Sequence, residues 1–208
     1  MAVKVQVFAR APVSGEVKTR LIPRLGADAA ARLQMVLTSQ AVATALAAGI
    51  GPVELWCSPD RSHPSFKAAA QLGVELRDQG KGDLGARMFR ALSDAILSNG
   101  FAVLIGSDCP SLTPDDLRCA VKALRRGADV VLVPAEDGGY VLIAARTCSR
   151  RLFDGIEWGT DRVMAETRSR LRELGHKWQE LDPRWDIDRP DDYERLLREQ
   201  PHIADPAP

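Results

Sequence analysis

The feature that most constrains this chain is its regular alternation of short β-rich apolar runs with segments of helical period. Strand-like runs fall at residues 4–8, 53–57, 74–77, 102–105, 130–134 and 140–144, with a weaker one near 178–181. Between them lie amphipathic stretches. Over 27–48, Leu33, Val36, Leu37, Ala41 and Thr44 share one face, and Leu84, Met88, Ala91, Leu92 and Ala95 do the same in the next clear helix. Thr113 followed by Pro114, Asp115 and Asp116 marks a capped helix start running to about residue 126. Further helices are expected over 161–174 and 190–198. This order predicts an α/β protein, a three-layer α/β/α arrangement around a mostly parallel, mixed sheet. The run at 140–144 is the exception. It follows its predecessor across a short connection through Gly138 and Gly139, too short for a parallel crossover, so it runs antiparallel or leaves the main sheet order.

The chain has 208 residues, 45% of them hydrophobic, enough to bury one sizeable core. A single domain over 1–200 is expected, with a proline-rich tail over 201–208 that frays. Lys plus Arg and Asp plus Glu balance at 28 each, which argues against a dedicated nucleic-acid binder. Four cysteines without a CxxC pair read as reduced thiols, and three scattered histidines give no zinc spacing. The first residues read as a strand, with no apolar run suited to a signal peptide or a membrane span. A cytoplasmic protein without a membrane partner is therefore expected.

In an open α/β sheet, ligands bind beyond the carboxyl ends of the strands. The first such loop holds Arg10, Pro12, Gly15, Lys18, Arg20 and Arg24. Backbone freedom at Gly15 and the cations Lys18 and Arg20 suit phosphates, although a solvated basic turn explains the same residues equally well. It is not a P-loop, because Val17 precedes the lysine, and no GxGxxG follows the strand. Next, the strand at 102–105 runs into Gly106, Ser107, Asp108 and Cys109. Asp108 at a strand tip can hold a divalent cation, or it can cap a turn. Asp186 and Asp188, two apart in extended backbone, project to one side and could share a cation; Asp188 could instead cap the following helix. Asp191 and Asp192 suit the dipole of the helix begun by Pro190.

Two glycine-bearing segments complete the set. Glu136-Asp137-Gly138-Gly139-Tyr140 is a tight turn or a close approach to a ligand. Gly80, Gly82, Asp83 and Gly85 enter a helix whose first amides could bind an anion or a nucleobase edge, while Asp83 can also serve as its cap. No Ser/His/Asp arrangement is visible. Cys109 has no histidine near it in sequence, so a thiol nucleophile is not expected. Trp56 reads as core; Trp158 and Trp185 either line a pocket or simply pack.

Taken in order, FARAPVSGEVKTRL, QGKGDLGARM, LIGSDCPSLT, EDGGYVLIA and DIDRPDDY resemble a bacterial family of uncharacterised glycosyltransferase-like proteins of the DUF2064 type. That family is related to the guanylyltransferase that activates 2-phospholactate. The resemblance implies the nucleotide-diphospho-sugar transferase (GT-A) fold and a transferase that uses a nucleotide. It implies catalytic roles for Lys18, Arg20 and Asp108, and a nucleotide site at Arg10, Gly15, Lys18, Gly82, Asp83, Gly85, Gly138 and Gly139. It further implies a Mg2+ (or Mn2+) site at Asp108, Asp186 and Asp188. Two departures stand out: Ser107 replaces the first carboxylate of a DxD motif, and the first loop lacks the glycine-rich form of typical sugar nucleotidyltransferases. The expected reaction is nucleotidyl transfer from a nucleoside triphosphate to a small anionic acceptor, with pyrophosphate released. Glycosyl transfer from a nucleotide-sugar is the near alternative, and a non-catalytic nucleotide-binding accessory module is the distant one. Expected partners are the nucleotide and a small-molecule acceptor, and a homo-oligomer is compatible with the sequence.

Overall fold

A computed structural model of the protein describes residues 2–204. Its strands are β1 (Ala2–Arg10), β2 (Val53–Ser58), β3 (Glu75–Asp78), β4 (Gly100–Gly106), β5 (Val130–Pro134), β6 (Tyr140–Ala145) and β7 (Trp178–Glu180). Its helices are α1 (Ile22–Leu25), α2 (Ala27–Ala48), α3 (Pro64–Gln71), α4 (Leu84–Asn99), α5 (Pro114–Arg125), α6 (Val163–Glu173), α7 (Pro190–Glu199) and α8 (Pro201–Ala204). The strands form one seven-stranded sheet in the order β3-β2-β1-β4-β6-β5-β7. The chain is thus the α/β, mostly parallel mixed sheet that the alternation predicts. β1 pairs in parallel with both β2 and β4, β2 with β3, and β5 with β7. β6 alone runs antiparallel, inserted between β4 and β5, as the short Gly138–Gly139 connection requires.

The two-residue period of the strands sorts their side chains into two cores. Val5, Val7, Val103 and Ile105 face α2 and α5 and pack with Ala41, Ala45, Leu117 and Leu124. Phe8, Ala102, Leu104 and Ile143 face the other way, toward Met88, Leu92, Met164 and Leu171 of α4 and α6. A third, smaller cluster joins the two ends of the chain. Leu21, Leu33 and Leu37 from the first loop and α2 pack on Trp185, Ile187, Leu196 and Ile203. Residues 201–204, at the start of the tail expected to fray, form a helical turn in which Ile203, 3% exposed, packs in that cluster. Residues 205–208 lie outside the described part. The short helix α3, absent from the periodicity reading, exists because Phe66 and Ala69 are buried against the first core.

β1 lies between β2 and β4, so chain connections diverge to either side of it. A crevice opens at such a switch point, outside the carboxyl ends of the strands. Among the described residues no helix is long and apolar enough to cross a membrane. The four cysteines are unpaired.

Candidate active site

A crevice of about 820 Å3 lies at the carboxyl ends of β1, β2 and β4. Arg10 from the end of β1, Ser58 and Pro59 beyond β2, Gln79 and Gly82 beyond β3, and Gly106 through Asp108 beyond β4 line it. The loop Glu16–Arg20 closes one side, and Asp188 lies on the rim with Arg20.

The distant segments meet through the backbone. Ile187 N–H donates to the Asp108 carbonyl at 2.9 Å. Beside it, the Ser111 hydroxyl donates to the Trp185 carbonyl at 2.8 Å and accepts from the Trp185 N–H at 3.0 Å. Lys18 is held in the left-handed region (φ 48°) between buried Val17 and the turn leading to Leu21. Its ammonium reaches Asp108 Oδ1 at 3.0 Å and the Ile187 carbonyl at 2.5 Å. The Lys18 side chain is only 4% exposed, whereas that of Asp108 is 49% exposed and open to the crevice. The Ser107 hydroxyl lines the crevice and donates to Asp108 Oδ1 at 3.4 Å. It is buried, accepts from Gln34 Nε2 at 3.1 Å and belongs to the packing of β4 on α2.

Asp186 lies beside Asp108 and Asp137. Burial, then the neighbouring Asp137 and Asp108 carboxylates, push its pKa up to about 7. Asp188, the third of the expected metal ligands, is ion-paired to Arg20 on the crevice rim. It does not cap α7, because Arg189 is the N-cap and the Asp192 carboxylate accepts from the N–H groups of both Asp188 and Arg189. Asp137 and Asp108 both bear electrostatically on Asp186, while the buried Lys18 ammonium is paired to Asp108. Such under-compensated negative charge fits a divalent cation. Among the described residues no three His, Cys, Asp or Glu side chains form a ready metal cage.

The glycine-rich segments divide their duties. Gly82 lines the crevice, while Asp83 caps α4 by accepting the Ala86 N–H at 2.8 Å. Gly85 is a packing residue: a Cβ there would come within 2.9 Å of Phe153 Cβ and Trp158 Cζ2. Gly15 lies at the tip of the first loop with φ 82°, outside the lining. Gly138, at φ 95°, packs so tightly that an added Cβ would stand 2.2 Å from the Asp161 carbonyl oxygen. Gly139 and Asp137 line a second cavity of about 240 Å3, walled by Met88, Tyr140, Trp158 and Val163, which meets the crevice at Phe8, Leu84 and Gly106. Trp158 thus lines a pocket, whereas Trp185 packs under the Arg195 guanidinium at 4.6 Å.

Sequence reasoning missed Asp137 and Arg87. Asp137 adjoins the two glycines that were singled out, and its carboxylate accepts the Gly139 N–H at 3.0 Å. Arg87, one turn beyond the Asp83 cap, donates to Gln79 Oε1 at 2.8 Å and lines the crevice opposite Lys18's loop. Burial, with Arg10 and Arg90 nearby, holds its pKa below the ordinary value. Cys109 is structural: burial pushes its thiol up to about 11, and it donates to the Trp185 carbonyl at 3.2 Å.

The sequence model of a family described as "Uncharacterized protein conserved in bacteria (DUF2064)" matches residues 41–160. No curated protein matches the chain. Among solved structures, a protein of Desulfovibrio desulfuricans G20, provisionally named a nucleotide-diphospho-sugar transferase, superimposes with a TM-score of 0.84 at 28% identity, over 97% of this chain and 88% of that one. A cytidylyltransferase from Leptospira borgpetersenii shares the fold at a TM-score of 0.63 and 14% identity, covering 100% of this chain and 98% of its own. Rv0371c from Mycobacterium tuberculosis H37Rv, in complex with manganese, does so at a TM-score of 0.55 and 21% identity, over 96% of this chain and 100% of that one. These are structures of the GT-A type, and the fold of this chain is theirs.

Proposed function

This chain belongs to the DUF2064 family, and from that premise we propose that it is a divalent-metal-dependent transferase acting on a nucleotide. The reaction is nucleotidyl transfer. An acceptor oxygen attacks the α-phosphorus of a nucleoside triphosphate, the bond to the bridging oxygen of the β-phosphate breaks, and pyrophosphate leaves. The observation that carries this reading is the Ile187–Asp108 backbone bond, which brings Asp186 to Asp108 opposite the Lys18 loop. Phosphoryl chemistry of this kind needs chiefly positioning and charge stabilisation. Asp108 and Asp186 would hold Mg2+ or Mn2+, with Asp137 adjacent. A bound ion supplies charge neutralisation at the phosphates. Lys18, Arg20 and Arg10 receive phosphate oxygens, and Gly82 with Arg87 borders the nucleoside end of the crevice.

The name given to the Desulfovibrio protein favours glycosyl transfer as a second reading. Against it stands the apolar second cavity, where a donor sugar's hydroxyls would find few partners and each unpaired group would cost about 1–3 kcal/mol. Incubation with Mg2+, each nucleoside triphosphate and a panel of small acceptors, followed by pyrophosphate measurement, separates the two. Pyrophosphate release supports nucleotidyl transfer, and nucleoside diphosphate released from a sugar donor supports the rival. Asp108→Ala is expected to abolish Mg2+-dependent triphosphate binding in calorimetry. Unaltered metal-dependent affinity in that variant overturns the assignment.

A further inference from the structure

The cavity of about 240 Å3 beside the crevice has a composition unlike the crevice itself. Its lining contains no lysine or arginine; its one charged member is Asp137. Tyr140 and Trp158 meet edge to face with centroids 6.4 Å apart and form an aromatic wall, and buried Met88, Leu104 and Val163 are among the apolar side chains of the rest, with Thr160 the one aliphatic hydroxyl. The passage to the crevice is open at Gly106, where an added Cβ would meet nothing within 4 Å. Asp137 therefore stands between an apolar chamber and the carboxylates where transfer would occur.

We propose that this cavity receives the second substrate, and that the substrate is a small acceptor with an apolar body and one anionic head. This deepens the nucleotidyl-transfer reading and rests on it. The body lies between Trp158, Tyr140 and Val163, and the head projects past Gly106 toward Asp108 and Asp186. A water takes about 30 Å3 of liquid volume, so the chamber has room for about eight waters, the bulk of a six-membered ring or a short branched chain. Polar side-chain atoms in the lining are confined to Asp137, Tyr140, Trp158 and Thr160, and the Thr160 hydroxyl already donates to the Glu157 carbonyl at 2.8 Å, so a body bearing several hydroxyls would leave some of them unpaired. An anionic head inside the chamber would meet Asp137 with no cation near it. At the mouth it reaches the metal-binding carboxylates and the Lys18 side of the crevice instead.

Phenyl phosphate and glycerol 3-phosphate share a head and differ in the body, so they are the probes. Calorimetry with Mg2+ is expected to show phenyl phosphate binding about tenfold more tightly than glycerol 3-phosphate, an apolar-burial effect. In Val163→Phe, which fills the chamber, that preference is expected to vanish while nucleoside triphosphate affinity stays unchanged. If Val163→Phe lacks a cooperative melting transition, Gly106→Val, which closes the passage, gives the comparison of the two probes alone, without the triphosphate control, since Gly106 also lines the crevice. Equal affinities in the unmodified protein, or a preference surviving in the variant, overturn the proposal. So does a loss of triphosphate affinity in Val163→Phe, which would mean that the chamber holds the nucleobase. Failure of every triphosphate to bind the unmodified protein with Mg2+ would instead sink the nucleotide reading, and the probe comparison tells the two failures apart.

Discussion

Lys18 is the one non-glycine residue with positive φ among the described residues, a conformation that costs about 1 kcal/mol for a side chain with a Cβ. The cost is offset by what the geometry delivers: a nearly buried ammonium bonded to both Asp108 and the Ile187 carbonyl. Lys18→Ala removes both bonds and is expected to cost about 1–2 kcal/mol in chemical denaturation. It should also weaken triphosphate binding more than nucleoside binding, and equal losses would contradict a phosphate role. Asp186 titrates in the opposite sense to an ordinary ion-paired carboxylate. Its folded-state pKa of about 7 exceeds the unfolded value of about 3.9. Between those values the folded chain retains a proton that the unfolded chain has lost. The stabilisation is therefore complete below the lower value and gone once pH has risen through the upper one. Metal-free protein is expected to melt at lower temperature at about pH 8 than at about pH 5, and Asp186→Asn should lack that component of the slope. Mg2+ should raise the melting temperature more at the higher pH, where no proton competes for the carboxylate. Parallel slopes for both proteins in scanning calorimetry would refute the assignment.

Among the elements, those with a repeating apolar pattern were legible in advance. β1, β2, β4, β5 and β6, with α2, α4 and α5, carry a period that burial enforces. The antiparallel course of β6 could be read because a short glycine connection forbids a crossover. Helix α3 could not be read, since eight residues with two buried side chains give too little periodicity. The candidate site was legible only as separate segments. Nothing local says that Asp188 pairs with Arg20 while Asp186 feels the Asp137 carboxylate, because the first partner is 168 residues away in sequence and the second lies beyond β6 and α6. Gly85 and Gly138 looked like ligand contacts for the same reason: a glycine signals close approach, and only the fold says to what. At Gly138 the approach is to the backbone of the loop before α6, with Met164 N–H donating to the Gly138 carbonyl at 2.8 Å. Gly138→Ala combines positive φ with a backbone clash and is expected to destabilise by about 2–4 kcal/mol. It should also disturb the Trp158 wall, so tryptophan fluorescence should shift along with the denaturation midpoint. A variant as stable as the parent would mean that the turn and the loop are not locked together.

For the whole molecule, the decisive arrangement is that the chain's beginning and end share a core separate from the two beneath the sheet. Leu21 follows Lys18 and Arg20 in the chain, Ile187 lies between Asp186 and Asp188, and Leu21 and Ile187 are both fully buried in the same cluster. Packing there fixes the distance between the opening loop and the acidic segment, which no strand pairing of the central sheet controls. Interiors are close-packed, so a void at this joint lets the two halves of the site drift without touching any group that contacts a ligand. Ile187→Ala is expected to cost about 2–5 kcal/mol, the range for truncating a fully buried aliphatic side chain. Leu92→Ala, in the core beneath α4, should cost a similar amount and serves as the control. Compared well below their melting temperatures, the two variants should part company. Mg2+-dependent triphosphate binding should weaken about tenfold or more in Ile187→Ala and change little in Leu92→Ala, since a tenfold loss corresponds to about 1.4 kcal/mol of misalignment. Equal retention in both variants would show that the joint serves stability alone. Equal loss in both would mean that the crevice responds to global loosening, and the terminal core would then have no special part in aligning the site.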